Sequence, residues 1–426
     1  MASSTQQYTD NGYDLAKLDL VSNQGGKTID LRPQLAEICI YESIFDGKVV
    51  GEILLKDGLN YSEVVPIVGN ESIFISYKTL ASDGEFVQIS GRVVAPLGKA
   101  RTTNEKTEVY KLQFVSNTNF RNRLTHVHAS YKGTISDIVS SLYNEYLGVN
   151  STKLKSVDLT KGIHQFIFPY WTPLFAIAWL SERAYYDEAS CFVFYEGVDG
   201  HHFRDIMRAA KKSIVMSYKV EPNNGSNTSD VNKFIEQVQS YSITSYFDRL
   251  SEYAKGMYSG ILQTHDITTK KVSTTEMDYQ DLFDAGSHLN EYPFFPPSNM
   301  EFRNNKTFKN YMPVQLGKLP GIRKNEDPEK YFLNRESIQA QFSTFRITIL
   351  VPGNSALRLL DTVEFTIPKI GYMDSDEEDW KDPYLSGKYI VTSIMTSINK
   401  TGGYRCSIEL AKDSLVKGIP DKIENK

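Results

Sequence analysis

The 426-residue chain has only three cysteines, Cys39, Cys191 and Cys406, which lie far apart in strand-like runs. An odd count without paired spacing gives neither a disulfide framework nor a metal knuckle, so all three read as small core residues. Excess positive charge is also missing. Lys and Arg number 47 against 52 Asp and Glu, a net charge of -5, which gives no globally basic footprint, so no specific nucleic-acid binding is expected, although a locally basic surface can sit inside a mildly acidic whole. The N-terminus has no basic segment followed by an apolar one, so no secretory signal is expected and synthesis belongs in a reducing, cytoplasm-like space. No charge falls between His164 and Glu182, but Pro169 and Pro173 divide that run. It is shorter than the roughly 20 apolar residues of a membrane span, so none is expected. The motifs GxSxG, GxxxxGK with Ser or Thr, HExxH, CxxC and GxGxxG are all absent. No catalytic, cofactor-binding or metal residue is therefore assigned, no cofactor is expected, and no enzyme is inferred.

Hydrophobic content of 40% and charged content of 23% are those of an ordinary globular protein, and the length predicts two to four domains. Tyr (26) and Phe (22) are abundant, which suits large buried contacts between subunits and equally suits carbohydrate stacking.

The central stretch His164 to Asp187 predicts a buried strand, turn and helix. Phe166, Ile167 and Phe168 run extended up to Pro169, Thr172 is the expected N-cap, and Pro173 suits the first helical position. Leu174, Ile177, Ala178, Ser181, Ala184 and Tyr185 share one face, widened by Phe175, Trp179 and Tyr186. A second helix is predicted from Thr134, with Ile135, Ile138, Val139, Leu142 and Tyr146 as its stripe and Gly148 as a left-handed stop.

Two strand fields flank these helices. Leu35–Phe45, Val49–Leu55, Ser72–Thr79, Glu85–Ala95 and Thr107–Ser116 are separated by turns at Asp46-Gly47, Asp57-Gly58, Gly69-Asn70 and Asp83-Gly84. Toward the C-terminus, residues alternate around Phe345 to Val351, Val363 to Ile367 and Tyr404 to Leu410. Glu221 to Asp230 reads as a linker or loop tip, 231–263 has no clean period, and 264–317 reads as loop-rich insertion.

Candidate ligand sites are few. His126 and His128 alternate on one strand face, as two metal nitrogens can, but no third ligand is identifiable, so they read as polar or structural histidines. Neighbouring His201 and His202 point to opposite faces of a strand. The acidic run Asp374 to Asp379 lacks the spacing and glycine of a calcium loop and reads as a solvated excursion. Clustered aromatics at 290–312 are the place to look for sugar binding.

Several stretches together resemble the central baseplate hub protein of contractile-tailed bacteriophages. They are Ile40–Thr79, Phe114–Gly148 leading into Phe166–Ala184 with its Trp-Thr-Pro helix start, Leu357–Ile370, and Tyr384–Ser414. Such hubs are similar in fold to the N-terminal part of the type VI secretion spike protein. The resemblance implies a mixed β and α+β fold, with two small antiparallel β-barrel, tube-like domains flanking an α/β domain and a loop-rich insertion. Its implied boundaries are an arm at 1–25, a first barrel at 26–127, an α/β domain at 128–230, a second barrel at 231–263 and 336–416, an insertion at 264–335, and a tail at 417–426. It further implies a homotrimer in the virion tail baseplate, joining a hexameric tail tube protein to a trimeric central spike protein and letting the genome pass on contraction. Baseplate wedge proteins and the tape measure protein are the other implied partners. Two alternatives stay open: a type VI secretion-like spike hub, and a carbohydrate-binding or cell-wall-degrading tail component.

Overall fold

The computed structural model describes residues 12–23, 26–58, 61, 66–80, 85–101, 107–148, 154–220, 231–294, 308–314, 327–370 and 380–420. The acidic run Asp374–Asp379, the linker Glu221–Asp230, the Asp83-Gly84 turn and residues 295–307 lie outside them.

The N-terminal field contains β1 (Tyr13–Val21), β2 (Thr28–Asp30), β3 (Leu35–Ser43), β4 (Val50–Asp57), β5 (Ser72–Thr79), β6 (Val87–Arg101) and β7 (Glu108–Ser116). The Gly69-Asn70 turn has both residues at positive φ, 103° and 69°, where glycine and asparagine are tolerated. Strand β1 takes up Tyr13–Val21 of the expected arm, whose residues 1–11 lie outside the described ones. Leu18 and Leu20 are fully buried on one face of it, and it pairs antiparallel with β5.

The middle of the chain forms α1 (Asn117–Leu124), β8 (Ser130–Gly133), α2 (Ile135–Leu142), β9 (Leu154–Val157), β10 (His164–Ile167), α3 (Pro173–Arg183), β11 (Phe192–Gly197), β12 (Gly200–Asp205) and α4 (Ile206–Ala210). Its own core gathers Ile135, Val139, Phe168, Ile177, Leu180 and Phe192. Strand β10 pairs with β8, the turn follows, and α3 packs behind. Three details differ from expectation. The Thr172 side chain caps nothing; the Leu174 amide donates instead to Asn122 Oδ1 at 2.8 Å, because α1 supplies an acceptor from a distant part of the chain. The buried face of α3 is Ala176, Ile177, Leu180 and Ser181, while Phe175 and Ala178 are exposed. Gly148 closes its helix at φ -63°, not in the left-handed region, after a wider turn over Tyr143–Leu147.

After β13 (Met216–Lys219) come α5 (Val231–Glu236), β14 (Ser240–Tyr246), α6 (Arg249–Ala254), β15 (Ser259–Asp266), β16 (Val272–Asp278), α7 (Tyr279–Ala285) and β17 (Lys309–Val314). Strands β16, β15 and β17 make a small three-stranded sheet where loops were expected. Helix α8 (Pro328–Thr344) leads into β18 (Phe345–Pro352), β19 (Thr362–Thr366), β20 (Gly387–Asn399) and β21 (Gly403–Lys412). Buried polar groups fix α8 on several sides. Arg335 Nη1 donates to the Phe192 carbonyl at 2.7 Å, and Ser337 Oγ donates to the Met257 carbonyl at 2.6 Å.

The fold is mostly antiparallel sheet with several helices, a mixed β and α+β class. The two strand fields are not closed barrels. Among the described residues they join in one 13-stranded sheet, in the order β14-β18-β21-β20-β3-β4-β7-β6-β5-β1-β2, with β13 and β19 branching from β20. The join is the antiparallel pair β3 and β20, which sets Ile38 opposite Ile398 and Ser43 opposite Ser393. The sheet also curls over its apolar face. Tyr77 of β5 meets Tyr404 of β21 edge-on at 5.6 Å, although five strands lie between β21 and β5 in the order. Thr79 Oγ1 donates to the Gly353 carbonyl and accepts from the Ser355 amide, closing the same contact.

Candidate functional site

Side chains on a strand alternate between faces, so a sheet with one apolar core leaves one row per strand outside it. In β3 the buried Ile38 and Ile40 alternate with Cys39 and Tyr41; in β21 Cys406 and Ile408 alternate with Arg405, Ser407 and Glu409. The outward rows over the middle of the sheet mix hydroxyl-bearing residues, including Ser43, Thr348, Ser393, Ser397 and Ser407, with the larger Tyr41, Leu54, Leu350 and Met395. Opposite charges sit on neighbouring strands: Lys111 Nζ lies 2.8 Å from Glu52, and Arg346 lies 3.5 Å from Glu409. Hydroxyls cross the β3–β20 join as well, Ser397 donating to Glu37 at 2.9 Å and Ser393 to Ser43 at 3.1 Å. A shallow depression of about 330 Å³ lies on this face at the join. The result is a wall of paired charges and hydroxyls interspersed with apolar side chains, ended by β14 on one side and β2 on the other.

A second cluster lies where the β11–β12 hairpin meets this sheet. Two buried carboxyls latch it reciprocally. Glu42 of the sheet accepts from the Val198 amide of the hairpin at 2.7 Å, and Glu196 of the hairpin accepts from the Val49 amide at 2.8 Å and Ser116 Oγ at 2.6 Å. Burial pushes both carboxyls up to about 7, against the pull of those donors. It also pushes the imidazole of His201 down to about 3, aided by the nearby His202. His201 Nε2 comes within 3.3 Å of Glu196, yet both groups are shifted toward their neutral forms, so the contact is not an ion pair.

The residues singled out in the sequence separate here. His201 meets Tyr143 Oη at 3.0 Å, while His202 turns the other way to Ser156 and Asp199. His126 is exposed and stacks on Tyr170 at 4.4 Å; His128 is exposed two residues on. No group of three metal-ligating side chains occurs among the described residues. All three cysteines are free: Cys191 and Cys406 are core, but Cys39 belongs to the outward row of β3 and is only half-buried. Of the aromatic segment at 290–312, Phe294 is fully buried against Phe247 and Phe345, so it is unavailable for stacking on a sugar. Sequence reasoning missed the Glu42 and Glu196 latch, because each carboxyl reads as a solvated residue until its distant partner is known. No helix among the described residues is long and apolar enough to cross a membrane.

No family model matches the sequence, and no curated protein matches it. Solved structures do match the fold over nearly the whole chain. A tail protein from Neisseria meningitidis MC58 superposes with a TM-score of 0.55 at 11% identity, covering 94% of this chain and 97% of that one. The 43 kDa tail protein of prophage MuSo2 from Shewanella oneidensis gives 0.56 at 10% identity, covering 93% and 98%. The chain thus carries a fold found in phage tail proteins.

Proposed function

We propose that this protein is a structural component of a phage-type tail, and within it the baseplate hub. Three copies would form a ring in the virion, joining the tail tube to the central spike without catalysis. The observation that carries this reading is the hydroxyl-rich outward face of one continuous sheet built from two strand fields. Two such fields in each of three chains present six similar surfaces, so one chain can meet sixfold symmetry on one side and threefold on the other. The strands that end the sheet, β14 and β2, would be covered by neighbouring copies, which removes exposed edges. Opposite charges paired across neighbouring strands of that wall leave little net attraction for a passing charged polymer.

Light scattering coupled to size exclusion tests the assembly. The expected result is a mass three times the 48.4 kDa of the chain, alone or on adding a candidate spike protein. A monomer at all concentrations, indifferent to the spike, contradicts the hub.

A further inference from the structure

A cavity of about 820 Å³ opens between the sheet and the α/β unit, away from the β3–β20 join. Strands β1, β5 and β6 form one wall; the start of α1 and the β11–β12 hairpin form the other. This volume lies in the range of small-molecule sites, which favour such junctions. We propose that it binds a short neutral oligosaccharide.

Charge supports a neutral ligand. Lys17 and Lys155 face Asp19, Asp199 and the buried Glu196 around the cavity, and burial shifts the Glu196 carboxyl toward its neutral form, so neither sign dominates. An uncharged glycan satisfies such a wall with hydroxyls, whereas an anionic polymer would leave the acids unpaired. Phe74 supplies the second argument. It stands 42% exposed among Ser76, Gln88 and Ser90, an apolar ring in a setting of hydroxyl and amide groups. A pyranose has the matching pattern, an apolar C–H face for the ring and a hydroxyl rim for the polar side chains.

The backbone argues against an extended peptide on this wall. Strand β5 is paired on both sides, with β1 and β6, and β6 is paired with β5 and β7. Their backbone donors and acceptors are spent on the ladders, so recognition falls to side chains, not to an added strand. On the opposite wall Thr118, 2% exposed, has a hydroxyl with no hydrogen-bond partner, a polar group at the cavity still to be satisfied.

This inference goes beyond the hub reading, and its test uses the full chain alone, so the two can fail separately. Saturation-transfer NMR and calorimetry would be run with triacetylchitotriose, maltotriose and an uncharged Gly/Ser hexapeptide. The expected result is saturable binding of at least one sugar, with Kd between about 10 μM and 1 mM. Phe74→Ala should weaken it about tenfold or more while leaving the thermal midpoint nearly unchanged, because the ring is partly exposed; Gln88→Ala should act the same way. No saturation by either sugar up to about 10 mM, binding of the peptide alone, or unchanged affinity in both variants would overturn the proposal.

Discussion

Replacing Gly51 by Val should destabilise the protein by more than about 3 kcal/mol, or prevent soluble expression altogether. Gly51 lies in β4 opposite Phe114 of β7 and Ile40 of β3. A Cβ at this position would strike the Phe114 ring and lie 2.8 Å from the Cys39 carbonyl of β3. Gly91 of β6 makes the same allowance on the other side, where a Cβ would lie 3.1 Å from Phe114 Cδ2. The two glycines therefore leave space for one fully buried ring beside the join of the strand fields. Phe114→Leu should partly rescue Gly51→Ala, and a double-mutant cycle measures that coupling. A Gly51→Val protein melting with the wild type would show that the ring does not pack there.

The second large effect is a pH dependence at the hairpin latch. The carboxyls of Glu42 and Glu196 titrate near 7 in the fold and near 4.5 when unfolded, so the folded chain holds these protons more tightly between those values. Their contribution is then fully present at low pH and is lost as pH rises from about 4.5 through 7, by roughly 3 kcal/mol per carboxyl. Burial raises the Asp205 carboxyl to about 6 and adds in the same sense. His201, held neutral down to about 3, opposes it below 6.5. Comparison with a double Glu42→Gln, Glu196→Gln variant isolates the latch, since glutamine keeps an acceptor for each backbone amide. Thermal melts from about pH 5 to 7 should show wild type losing stability relative to the variant. Parallel pH profiles would show that the two carboxyls are not the source.

Local alternation made most strands legible. Ser72–Thr79 is found at its expected limits, and β7 within one residue, because each has one apolar and one wet row. Features dependent on distant partners were not legible. The β3–β20 pair joins residues some 350 positions apart, and nothing in either strand names the other. Helix α8 was missed because it is buried on several sides. Arg335, Ser337 and Gln341 sit inside with Ile338 and Phe342, so no apolar stripe marks it. Strand β1 was hidden by the polar residues around it, although Leu18 and Leu20 carry its pattern. Cys39 was read as core from its apolar neighbours Ile38 and Ile40, yet alternation places it on the outward row.

That outward, half-buried position makes Cys39 the direct probe of the central claim, that the bare face of the sheet lines an assembled passage. Burial, with the charge of Glu37, raises its thiol above the ordinary value, so labelling of the purified oligomer belongs at mildly alkaline pH. The measurement is reaction with a small biotin maleimide followed by challenge with streptavidin. The account predicts one label per chain, at Cys39, which streptavidin reaches only after the oligomer is dissociated. Capture of the intact labelled oligomer, or no labelling of Cys39 until the chain is unfolded, would contradict it.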